Sequence, residues 1–195
     1  MNLNDLIKGI TGLFKNGKDA VEKAKKDAKC RESVTFTFEK LPENADELKA
    51  LPEAVLDTPF KAAALTLLAL CRYSENADDG IAMLNFLKGP QPLSPREIQF
   101  LHDRVMDGKN YVARSFLSGA TPDNNYAPAT PYKVTVSANP YSYETEGYAV
   151  LWLTSGGADS PRQVKLRAKG GKTWFLWEQM LLSDIRKPKS EDPWA

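Results

Sequence analysis

The sequence predicts an α+β fold: a block of helices packed on a C-terminal antiparallel β-meander, preceded by an N-terminal amphipathic helix. Three observations lead there. Between Thr58 and Leu117 helix start and stop signals recur in quick succession; from Tyr132 onward the pattern switches to the two-residue alternation of strands; and "RAKGGKTWF" sets paired glycines where a hairpin needs a turn. Helices gathered in one stretch and strands in another favour α+β over an alternating parallel architecture.

The chain has 195 residues, enough for one domain with an appendage, and we place the boundary so that residues 1–31 are the appendage and 32–195 the domain. With 42% hydrophobic and 26% charged residues, the composition excludes a disordered chain and a bundle of membrane spans. A formal net charge of +1 supplies no long-range field to draw in nucleic acid. Cys30 and Cys71 have neither disulfide-framework nor zinc-site spacing, so both read as free thiols, and with no leader pattern the expected location is cytoplasmic.

Each element has a local reason. Leu3, Leu6, Ile7, Ile10, Leu13, Phe14 and Val21 fall on one helical arc, but Gly9, Gly12 and Gly17 weaken that helix, so it needs a partner surface. Next, "SVTFTFEK" alternates Val34, Phe36 and Phe38 with polar residues, the mark of a half-buried strand. A proline-rich connection follows, with a short helix around Asp46 to Ala50. Thr58-Pro59 opens a helix that is apolar nearly all round, and Asn76 caps another that ends at Gly89-Pro90. Ser94, Pro95 and Glu97 form a capping box on the third, and a short fourth runs from Tyr111 to Leu117. After the loop "ATPDNNYAPATP", "YKVTVS" and "RQVKLRAK" alternate cleanly, whereas "GYAVLWLT" is apolar on both sides, as in a strand covered on both faces. Element order alone also allows a cone-like arrangement of the nuclear-transport-factor kind.

The hairpin register decides which aromatics are core. A two-residue turn at Gly170-Gly171 sets Lys169 opposite Lys172, Leu166 opposite Phe175 and Val164 opposite Trp177. Phe175 and Trp177 are then expected inside. Trp174 falls across from Arg167 on the second face, where cover by another element such as the N-terminal helix is the expectation over an exposed stack of the two that could serve as a ligand site.

No catalytic constellation stands out. His102, the single histidine, is expected at the core boundary of its helix. The loop "SGGADSPR" brings Asp159 and Arg162 near two glycines, yet both neighbours are strands, so a plain connection is the expectation over an anion loop. Tyr126, Tyr132, Tyr141 and Tyr143 crowd the start of the sheet, residue types suited to protein or peptide recognition. From Pro161 to Lys189 eight basic residues meet only Glu178 and Asp184, which a solvated strand face explains. The helices from Pro95 to Leu117 carry four basic and three acidic residues, too few positive charges for a DNA-reading surface.

The "GGADSPR" loop, "WFLWE" and the "DIRKP" to "DPWA" ending resemble the C-terminal half of a bacterial domain family of unknown function. That resemblance implies a single bacterial domain and assigns no functional residue. The function expected is a non-enzymatic binding or adaptor domain for a protein or peptide, through the tyrosine-rich loops together with Arg167 and Trp174. No cofactor or metal is implied, and the N-terminal helix is a candidate docking element, for a protein or, less well, a membrane surface. The alternative is a small-ligand or enzymatic domain with a cavity between helices and sheet, lined by His102, Asp159 and Arg162.

Overall fold

A computed structural model describes residues 32–193, so the expected N-terminal helix, with Cys30, lies outside the described residues. The fold is α+β: a helical block packed on a five-stranded antiparallel sheet. The strands are β1 (Ser33–Phe38), β2 (Tyr132–Ser137), β3 (Tyr148–Leu153), β4 (Arg162–Lys169) and β5 (Thr173–Gln179), in spatial order β1-β2-β3-β4-β5. Four strands are C-terminal, and the N-terminal β1 returns to pair antiparallel with β2 at one edge.

The helices are α1 (Ala45–Ala50), α2 (Pro59–Tyr73), α3 (Ala77–Lys88), α4 (Pro95–Val105) and the single-turn α5 (Tyr111–Arg114). Their caps are those the sequence signals: Asn44, Thr58, Asn76 and Ser94 each accept a backbone N–H in the first turn of α1 to α4. All residues of α2 except Lys61 and Arg72 are buried. Its leucines at 65, 67, 68 and 70 are fully inaccessible, and burying each stabilises by about 1.5–3 kcal/mol. A helix with no polar face requires cover on every side, here the sheet on one side and α3 on the other. The hydroxyl of Thr66, fully buried within it, donates to the Ala62 carbonyl at 2.8 Å.

The inner sheet face that meets α2 carries Val134, Val136, Ala149, Leu151, Leu153, Val164 and Leu166, all buried. Along β3 burial alternates, so Tyr148, Val150 and Trp152 on the other face are half-buried. The two-sided apolar pattern of this strand therefore combines a packed inner face with an outer aromatic stripe.

The hairpin differs from the sequence expectation. Lys169 pairs with Thr173, leaving Gly170, Gly171 and Lys172 in a three-residue loop, with both glycines at positive φ (61° and 68°). One extra loop residue exchanges the faces of the returning strand. Leu166 thus lies opposite Leu176, Ala168 opposite Trp174 and Arg167 opposite Phe175. Leu176 is buried, and Trp174 packs half-buried against the core while its backbone N–H donates to the Leu56 carbonyl at 2.8 Å. The register slips between Lys165 and Leu166, so Trp177 is a bulged residue with no cross-strand partner.

Two outcomes follow from α2. A Cβ on Gly80 of α3 would overlap the Tyr73 backbone, so Gly80→Ala is expected to destabilise by about 1–3 kcal/mol, more than the roughly 1 kcal/mol of helix propensity it adds. A lowered urea midpoint with an unchanged slope measures this. Burial also pushes the Cys71 thiol up to about 12. The unfolded thiol ionises first, so this contribution to stability is present below its ordinary value near 9 and declines as pH rises above it. In a Cys30→Ser background, labelling of Cys71 by a thiol reagent at pH 8 is expected to proceed only through unfolding, accelerating with urea.

Candidate functional site

The residues singled out from sequence do not converge. Tyr126 is fully buried, stacked on Tyr111 with ring centroids 5.2 Å apart, and its hydroxyl donates to the Arg186 carbonyl at 2.7 Å. Burial first, then Tyr111, raises its pKa against the opposing charge of Arg186. Tyr132 and Tyr143 pack half-buried against the core, which leaves Tyr141, 67% exposed, as the one tyrosine of the four open to solvent.

The glycine loop is a structural junction. Gly156 donates its N–H to the Ser115 carbonyl, and Gly157 donates to the Ser155 hydroxyl, which in turn bonds that of Ser115 at 2.7 Å. A Cβ on Gly157 would overlap the Tyr126 hydroxyl. Arg162 donates to the carbonyls of Ser160, Ser183 and Asp184, and Asp159 pairs with Arg186 at 2.6 Å. With those groups satisfied locally, little remains to hold an anion. His102 is exposed, 3.7 Å from Asp103, because α4 fully buries only Leu101. It is therefore not the core-boundary residue expected.

A cleft forms instead between the α3–α4 connection and the β4–β5 hairpin, with a volume of about 950 Å³. Pro90, Gln91 and Pro92 make one wall, Phe175 and Trp177 the apolar floor, and Arg167 and Lys169 the far side. The proline wall is pinned at three points. Gly89 sits at φ 60° so close to the Phe175 ring that a Cβ would overlap it. Leu93 N–H donates to Asn85 Oδ1 at 2.8 Å, and Lys88 Nζ meets Glu97 Oε1 at 2.5 Å across the connection. Burial pulls the Glu97 carboxyl upward, but Lys88 and the Ser94 hydroxyl and amide outweigh it and hold its pKa below the usual range. A second hollow of about 390 Å³ continues the cleft, sharing Lys88, Glu97 and Trp177 and adding Leu93, Phe100 and Met180, the last 49% exposed.

Beside the floor lies an aromatic and cationic stack. Arg167 lies 4.7 Å from the Trp177 ring and 5.6 Å from Tyr148, Lys165 lies 4.9 Å from Tyr148, and the two rings meet edge to face at 5.7 Å. An arginine–tryptophan stack is thus present, but with Trp177, while Trp174, which the sequence register sets across from Arg167, packs against the core. Sequence reading passed over Pro90, Pro92 and Phe175 as site residues. The prolines read only as a helix stop, and the register placed Phe175 inside.

These features define a compact α+β domain with a proline-walled, aromatic-floored cleft beside its β4–β5 hairpin. Among the described residues no group of side chains is arranged to hold a metal ion, and no helix is long and apolar enough to cross a membrane. Residues 40–189 match the family model DUF6935, a domain of unknown function, and the chain belongs to that family. The match takes in the whole cleft, and β1 and the DPWA ending lie outside it. No curated protein and no solved structure matches the chain.

Because the folded Glu97 carboxyl is depressed, its contribution to stability is present above its unfolded pKa and lost as pH falls through the folded value. Glu97→Gln is expected to cost about 0.5–1 kcal/mol at pH 7, discounted for the partial exposure of the pair. The cost should vanish in acid, as measured by urea titration at both pH values.

Proposed function

We propose that the chain is a non-enzymatic binding domain that takes a protein or peptide segment into the cleft between the α3–α4 connection and the β4–β5 hairpin. The observation that carries this reading is the fixed geometry of the cleft. Its proline wall is held by the Lys88–Glu97 bridge, the Asn85–Leu93 hydrogen bond and the Gly89–Phe175 contact before any partner arrives. Preorganised walls reduce the ordering cost of association. The floor offers half-buried aromatic rings, the residue type that dominates interface hot spots, and the adjoining hollow extends the contact to Phe100 and Met180. An elongated groove beside a strand suits an extended chain better than a compact metabolite.

Tyr141 stands apart from the cleft lining and is available as a peripheral contact. His102, Asp159 and Arg162, which the cavity alternative required, line neither the cleft nor its continuation. The binding reading therefore rests on Phe175, Trp177, Arg167 and the proline wall.

A displayed random-peptide library selected on the full-length chain tests it. Enriched peptides are expected to compete with one another, and their affinity to fall about tenfold or more on Trp177→Ala. Phe175→Leu provides a milder floor variant should the larger truncation unfold the chain. Peptides that bind with undiminished affinity to both folded variants would place recognition elsewhere and overturn the proposal.

A further inference from the structure

We infer that the cleft selects an extended acidic peptide, with carboxylates at alternate positions along β4 and an apolar side chain against Phe175 and Trp177; this rests on the binding reading above. Lys165, Arg167 and Lys169 occupy alternate positions of β4, with Lys165 and Arg167 over the outer ring of Tyr148. From the rise of a strand the three span about 13 Å, in steps of about 7 Å. An extended peptide repeats its side chains with the same period, so carboxylates two residues apart fall in step with Arg167 and Lys169, the two of these cations that line the cleft.

The cations are also unclaimed. Lys61, Arg72, Lys88, Arg114 and Arg186 each face a carboxylate, whereas among the described residues Lys165, Arg167 and Lys169 have none within ion-pair distance. Arg167 is nevertheless held in place, since its guanidinium lies against Trp177 and Tyr148. Stacking leaves the planar edge of a guanidinium, with its paired N–H donors, free to grip a carboxylate. Glu178 lies opposite Lys165 and repels acid at that end. The acidic part of the ligand is therefore placed towards the Lys169 end and the apolar part towards Phe100 and Met180.

Two other occupants fit less well. Single-stranded nucleic acid binds by stacking bases on free aromatic faces. Here Arg167 and Lys165 lie over the rings of Trp177 and Tyr148, and the two rings meet edge to face. The N-terminal segment of this chain, residues 1–31, has eight basic side chains against four acidic ones, the wrong sign for a basic ladder.

The test uses the full-length chain and fluorescein-labelled synthetic peptides, read by anisotropy. The probe carries glutamates at alternate positions followed by a leucine–proline–leucine segment. Controls are the same peptide with glutamine for glutamate, and a labelled oligothymidylate. The acidic peptide is expected to bind at least tenfold more tightly than the glutamine peptide, to weaken with added salt, and to lose about tenfold in affinity on Arg167→Gln. Lys169→Gln, at the hairpin end and outside the ring stack, should lower affinity without disturbing Trp177. Equal binding of both peptides, abolished by Trp177→Ala, would refute the charge selection while leaving the cleft as a binding site. Tighter binding of oligothymidylate through Arg167, or self-association of the chain through Arg167, would overturn the inference in favour of nucleic acid or a second copy. Failure of every probe to bind, with selected peptides insensitive to floor substitutions, would remove both readings together.

Discussion

The all-round burial of α2 is the constraint on which the rest of the structure depends. A helix whose residues are inaccessible on nearly every side has to be enclosed before it is stable, and the enclosure is shared between α3 and the inner sheet face. That requirement reaches the last strand. Leu176 and Trp174 face the helices, Phe175 packs half-buried at the margin of the core against Gly89, and Trp177 beyond them is turned outward. The cleft floor is a by-product of closing the core on its opposite side.

The same closure explains why the cleft has firm walls. Arg72, one of two residues of α2 left unburied, joins Asp79 of α3 through Nη2 at 2.6 Å, fixing the two helices where Gly80 approaches Tyr73. The α3–α4 connection then leaves from a rigid helix end, turns at Gly89 over Phe175 and is tied back by Lys88 to Glu97. On the sheet side, Arg167 and Lys165 rest on aromatic rings and so lose little freedom when they meet a partner. Core packing, connection and cationic ladder form one mechanical chain from α2 to the surface.

Much of the fold was legible from local chemistry. Asn76, Thr58-Pro59 and the Ser94/Glu97 capping box set helix boundaries because each satisfies backbone donors within its own turn. Alternation in "YKVTVS" and "RQVKLRAK" gave the inward residues correctly, since one covered face imposes a period of two. The hairpin misled for a physical reason: two glycines permit a two-residue turn, and nothing local shows that Lys172 joins the loop. Only the demand of α2 for Leu176 separates the two registers, and that demand is tertiary. The candidate site shared this fate. Arg167 was recognised but paired with the wrong ring, Tyr126 looked like a loop residue although it anchors the Arg186 carbonyl from the interior, and the proline wall acquires meaning only when the hairpin stands beside it.

The orientation of Trp177 tests the account most directly, through nuclear Overhauser contacts from its indole protons in the full-length chain. The structure predicts contacts to the Tyr148 ring and the Arg167 side chain, with Leu176 instead showing contacts to α2. Contacts from the Trp177 indole to the leucines of α2, with none to Tyr148, would show the strand facing the other way and would contradict both the register and the cleft built on it.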